Sequence, residues 1–218
     1  GSTVSIGGKP LTVTAWSHHS ITGTLAEGSG RDLPVVVTVG GQSNAAGPAA
    51  LLSYIATPAI SQITPTTAPT SGGGTITIEG SGFGTVSGTV ALGPRPLQLT
   101  GTGWSDTKIV SMLPAGSGKD HPIVVDVAGQ RSNSMAFSYD PPVIESIIPS
   151  LVPAAGGVTV LIKGRNLWGG PFDPLVWIGD KPATVLPGSV AYDRVVCTVP
   201  AGSGVNVPVR VVVRGPTK

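Results

Sequence analysis

The chain has a single cysteine, Cys197, so no disulfide can close within it and its core is held by packing alone. Charge is also sparse. Thirteen basic and eleven acidic side chains in 218 residues give a net charge of +2, and they are scattered singly. With no basic stripe to neutralise phosphates, the composition argues against nucleic acid as a partner. No apolar run approaches the roughly 18 residues that a membrane helix requires, the longest β-rich run being Val35 to Val39, so no membrane span is expected in this segment. There is no N-x-S/T sequon, and N-linked glycans are therefore not expected. Helical periodicity is missing too: no window of eleven or more residues free of glycine and proline carries an i, i+3, i+4 apolar face.

What is present is 32 glycines and 21 prolines beside 40% apolar residues. That mixture suits short strands joined by many turns rather than disorder. The segments alternate with period two, as in Thr75 to Glu79 and Ala136 to Tyr139, each bounded by glycine, proline or serine. About seven such segments per repeat, with turn signals every 8 to 12 residues, predict an all-β sandwich.

The repeat is visible in one hexapeptide. LPAGSG at Leu113 to Gly118 has near-copies LAEGSG at Leu25 to Gly30 and VPAGSG at Val199 to Gly204, 88 and 86 residues away. The register extends outward. Gly7 to Leu11 matches Gly93 to Leu97 and Gly179 to Ala183, and Asp32 to Asn44 matches Asp120 to Asn133. The stretch from Pro58 matches that from Pro142 at an offset of 84. Three units are therefore expected: residues 1–56 as the C-terminal part of a truncated unit, 57–140 as a complete unit, and 141–218 as a complete or nearly complete one. The chain is expected to be a segment of a longer protein. Each unit runs into proline with almost no linker, at Tyr54 to Pro58 and at Tyr139 to Pro142, so neighbouring units should be stiffly coupled.

Gly116 to Asp120, GSGKD, lacks the first glycine and the final Ser/Thr of a phosphate-binding loop and is expected to be a turn between strands. Gly80 to Gly84, GSGFG, has no helix after it and is not a dinucleotide site. His18, His19 and His121 lack companion ligands at metal spacing, and Asp140 with Glu145 supplies too few oxygens for calcium at the junction. Cys197 is expected to be a buried small apolar side chain. No catalytic, cofactor-binding or metal site is expected, and no cofactor.

The markers within each unit resemble the IPT/TIG family of immunoglobulin-like domains. They are Pro58, Ile60, Ile63 and Pro65, repeated as Pro142, Ile144, Ile147 and Pro149; the Gly-Gly-x-Thr before the next strand; and Gly80 to Phe83, repeated as Gly164 to Leu167. Trp104-Ser105, Gly129-Gln130 and Phe137 to Tyr139 complete the set. Gly80 and Gly164 are expected to need positive φ, Phe83 and Leu167 to fold back on the sandwich, and Trp16 and Trp104 to cover a sheet edge. The resemblance implies tandem immunoglobulin-like sandwiches in a non-catalytic structural or adhesive segment of an extracellular or cell-surface protein. Its partners would be other protein chains or copies of itself. The alternative is an accessory module of a secreted glycan-active enzyme, with polysaccharide as partner and Trp168 and Trp177 as the candidate aromatics. A Rel-like DNA-binding domain, also found in the family, would need the basic face that this chain lacks.

Overall fold

The structure is a computed structural model that describes residues 1–26, 28, 30–44, 50–54 and 56–214. Glu27 and Ser29 of the first hexapeptide, Ile55 of the first junction and Gly215 near the terminus lie outside the described residues. No α-helix occurs among the described residues. The chain divides into two compact units, Gly1–Thr57 and Pro58–Lys218.

The first unit contains β1 (Thr3–Ile6), β2 (Lys9–Pro10), β3 (Thr12–Trp16), β4 (Ile21–Thr24), β5 (Leu33–Val39), β6 (Gln42–Ser43) and β7 (Leu51–Leu52). One sheet runs β2-β1-β5-β6, with β7 also on β5, and β3 pairs with β4 separately. Among its described residues, Val4 and Ile6 are the buried apolar ones.

The second unit begins with β8 (Ala59–Thr64), β9 (Thr67–Ala68), β10 (Thr75–Ser81), β11 (Thr89–Leu92), β12 (Arg95–Pro96), β13 (Gln98–Trp104), β14 (Lys108–Met112), β15 (His121–Val127), β16 (Gln130–Arg131) and β17 (Met135–Tyr139). One sheet is ordered β13-β14-β10-β8 and the other β12-β11-β15-β17-β9, with β16 on β15. Alternation decides which side chains meet between them. Ile76 and Ile78 of β10, with Ile109 of β14, face Val90, Ile123, Val125 and Phe137, all buried. Each fully buried Ile or Phe stabilises the sandwich by about 1.5–3 kcal/mol from burial alone.

The remaining strands are β18 (Val143–Ile148), β19 (Thr159–Arg165), β20 (Leu175–Ile178), β21 (Lys181–Val185), β22 (Arg194–Thr198) and β23 (Val209–Val212), in the order β18-β19-β22-β21-β20-β23. β21 pairs with both β22 and β20 and so links the two layers. Val160, Ile162, Leu167, Val176, Val195 and Cys197 form the core between them.

The expectation of positive φ at Gly80 and Gly164 is corrected by the backbone. Positive φ falls two residues later, at Gly82 (73°) and Asn166 (55°). Gly80 and Gly164 sit at matching β-bulges, where a methyl group would collide with the carbonyl oxygens of Ala59 and Val143. Close approach of two backbones, not handedness, requires glycine there. Phe83 and Leu167 do fold back into the cores and are fully buried.

The hexapeptide is a connection between β14 and β15, and its middle glycine has a second reason to exist. A Cβ at Gly116 would collide with the ring of Tyr139, and one at Gly28 with the ring of Tyr54. The rest of the closing strand is tied down the same way in both units. The Tyr139 N–H donates to Gly118 O at 2.9 Å, and the Tyr54 N–H to Gly30 O at 2.9 Å. The phenolic O–H groups donate to Pro114 O and Ala26 O, each at 2.8 Å. Ser138 and Ser53 hydroxyls accept the N–H of Asp120 (3.0 Å) and Asp32 (2.8 Å), two residues held at φ 54° and 53°. Asp tolerates that region better than most side chains.

Removing the Tyr139 hydroxyl alone, by Tyr139→Phe, should lower the stability of residues 58–140 by about 1 kcal/mol. Gly116→Val, which displaces the ring, should cost several times as much. Urea unfolding followed through Trp104 fluorescence measures both, and equal losses would show that the ring does not rest on Gly116.

Candidate functional site

The best-built polar site in the second unit is the place where its two halves meet. Asn166 replaces the glycine of the matching turn, Gly82, at the positive-φ position. Asn is among the few side chains that enter that region readily, and unlike Gly it brings an amide with both a donor and an acceptor. One end reaches across the boundary and the other holds the connector. Asn166 Oδ1 accepts the Thr70 N–H at 3.2 Å, and Nδ2 donates to Pro141 O at 3.2 Å. Thr70, buried, donates its hydroxyl to the Trp168 carbonyl at 2.6 Å. Beside them Gly169 lies so close to Gly116 that a methyl would collide with the Gly116 carbonyl oxygen.

The connector itself is short and held. The Asp140 N–H donates to Ala68 O at 2.9 Å, and Pro141 and Pro142 follow at once. The Trp168 ring packs on Tyr192 at 5.3 Å, with its indole nitrogen buried and without a hydrogen-bond partner. The part-buried hydrogen bonds made by Thr70 contribute about 1 kcal/mol each. Glu145 and Arg165 form an ion pair at 3.7 Å near the junction, but both side chains are mostly exposed and add little.

The other residues singled out from sequence are dispersed. His18 and His19 are exposed in the β3–β4 turn, their rings edge to face at 4.9 Å. His121 Nε2 is 2.9 Å from Ser117 O, and its ring packs on Tyr139. Among the described residues no group of three or more His, Cys, Asp or Glu side chains comes together. Trp104 covers its sheet edge, its indole N–H donating to Phe83 O at 3.0 Å. Trp16 does not behave alike and is 41% exposed. Trp177 lies on β20 with the Arg210 guanidinium 5.6 Å from its ring centre. Cys197 is fully buried in β22, and burial raises its thiol pKa above the ordinary value.

Sequence reading missed Thr70 and Asn166. The available signal was the replacement of Gly82 by Asn at an aligned turn, which marks a positive-φ position carrying a side chain with work to do.

With this geometry in place, the comparisons are decisive for family. The IPT/TIG domain pattern matches residues 58–139 and 142–218. The chain belongs to the IPT/TIG family. It is 27% identical over 163 residues to human Plexin-B1, covering 71% of this chain and 8% of that protein. It is 32% identical over 187 residues to a cyclomaltodextrin glucanotransferase of Niallia circulans, covering 80% of this chain and 25% of that protein. Among solved structures, the extracellular region of plexin A4 aligns over 97% of this chain and 28% of that one, with 17% identity and a TM-score of 0.37. The chain therefore spans a quarter or less of the length of these curated relatives. No helix among the described residues is long and apolar enough to cross a membrane.

Two outcomes are expected. Asn166→Gly keeps the backbone conformation but removes both amide bonds, so residues 58–140 and 141–214 should stay folded and lose their fixed orientation. Residual dipolar couplings should then need two alignment tensors where the parent needs one. For Cys197, the raised thiol pKa means that the stability it contributes is fully present below the thiol's ordinary pKa of 9.0 and is lost as pH rises through the folded value. Cys197→Ala should cost about 1 kcal/mol at neutral pH and flatten the alkaline fall, as read from urea midpoints at pH 7 and about pH 10.

Proposed function

We propose that this chain is a non-catalytic structural segment of an extracellular or cell-surface protein, in which IPT/TIG repeats act as stiff spacers and as protein-protein assembly modules. The repeats would be residues 1–56, 57–140 and 141–218. The observation that carries this reading is the Thr70–Asn166–Trp168 junction, which fixes one repeat on the next by side chains and not by the connector alone. A binding domain on a flexible tether has no use for such a clamp; a spacer does. Low charge density and β-rich edges favour side-by-side adhesion or a filament, with copies of the chain as partners.

Electron microscopy of the native parent protein tests the proposal. Beaded fibres with one bead per repeat are expected, and compact particles with a separate globular head would overturn it.

One observation favours a second reading, an accessory module of a glycan-active enzyme. Trp177 and the 45%-exposed Phe172 each carry an arginine over the ring, Arg210 and Arg214, on one strand layer and its entry loop. Aromatic faces beside guanidinium donors suit a sugar ring. The spacer reading expects no retention of the chain on insoluble polysaccharide in affinity electrophoresis, whereas retention lost on Trp177→Ala would establish the second reading.

A further inference from the structure

One sheet face differs between repeats at matching positions. Two cross-strand pairs point outward from it: Thr3–Thr38 with Ser5–Val36, then Thr89–Asp126 with Ala91–Val124, then Leu175–Val212 with Trp177–Arg210. The register is the same each time, so the positions are equivalent. Where two copies carry threonine, serine, alanine, valine and aspartate, the third carries leucine, tryptophan, arginine and valine. Packing does not call for them, because the alternate residues Val176 and Val211 are the ones in the core. Leu175, Val212 and Arg210 are exposed, and Trp177 is half-buried among them.

Charge sits on the aromatic surface. The Arg210 guanidinium lies 5.6 Å from the Trp177 ring centre, and Arg214 repeats the arrangement over Phe172 at 5.9 Å. Arg214 Nε–H also donates to Asp173 O at 2.9 Å, which orients its guanidinium. Among the described residues neither arginine has a carboxylate partner. A cavity of about 230 Å³ adjoins this face, lined by Leu175, Trp177, Pro182, Asp173 and Arg214 among others. It is smaller than a cleft that encloses a drug-sized molecule and suits one ring of a longer chain. Two arginines against the single aspartate leave the place net positive.

We infer that this face binds an acidic polysaccharide, taking one hexuronate ring with its C–H groups on Leu175, Trp177 and Pro182 and its carboxylate on Arg210 or Arg214. Because Arg210 covers one face of the indole, a ligand resting there meets a guanidinium before it meets carbon. That arrangement selects negative charge, and the planar fork of arginine matches a carboxylate. An acidic peptide fits less well. β20 is paired on both edges, by β21 and β23, and so has no free main-chain groups for strand addition. A uronate ring supplies the apolar face and the charge in one rigid unit. The inference rests on the second reading above and narrows its ligand from sugars in general to uronates.

Isothermal titration of the whole 218-residue chain tests it, with three probes: an oligogalacturonate, its methyl ester, and a polyglutamate of matched charge. The acid should bind, and the ester and the polyglutamate at least about tenfold more weakly. Arg210→Gln should weaken binding of the acid by a similar factor without changing the melting temperature, since the side chain is exposed. Arg131→Gln, which removes an exposed charge of the same sign from the preceding repeat, should leave binding unchanged. Equal binding of acid and ester overturns the inference and leaves the second reading standing. Equal binding of polyglutamate, or equal loss in the two arginine variants, overturns it as non-specific charge attraction. Binding of neither sugar overturns it as well, and the second reading then rests on retention by insoluble neutral polysaccharide alone.

Discussion

A tyrosine ring pressed against a glycine is the contact on which each closed repeat depends. Tyr139 joins the last strand to the β14–β15 connection through its ring, its main-chain N–H and its hydroxyl at once. Any side chain larger than hydrogen at Gly116 would lift the ring and release all three. The raised pKa of the Tyr139 hydroxyl, caused first by burial and opposed by the nearby Arg95 charge, reflects the same enclosure. Phe137, two residues earlier, packs edge to face on Tyr139 at 5.2 Å and completes the seal over Ile123 and Val125.

The junction between repeats uses the loops that this closure rigidifies. Gly116 touches Tyr139 on one side, and its carbonyl oxygen meets Gly169 of the next repeat on the other. Thr70, whose hydroxyl reaches Trp168, has its carbonyl oxygen bound by the Gly116 N–H at 3.0 Å. Repeat closure and repeat coupling therefore share residues, and a fault in the first propagates to the second. That economy suits the spacer role proposed above.

Much of this was legible in the chain because strands, turns and repeats are local. The alternation in Thr75 to Glu79 and the bulge glycines Gly80 and Gly164 could be placed without coordinates, although the reason for the glycines was misjudged. Their constraint is a carbonyl from a residue 21 positions earlier, a contact that no local rule reports. Trp16 and Trp104 read identically in sequence, yet Trp16 is 41% exposed while Trp104 donates to the Phe83 carbonyl. The junction was legible as a proline-tight connector and invisible as a clamp, because Thr70 and Asn166 are 96 residues apart.

The sequence by itself determined an all-β chain of repeated IPT/TIG units, since period-two alternation, glycine and proline turns and a recurring hexapeptide are written along the backbone. Tertiary structure decided what the hexapeptide is for. Whether a glycine serves a turn or seats a ring depends on which distant strand lies above it. Tyr54 and Tyr139 occupy that place above Gly28 and Gly116.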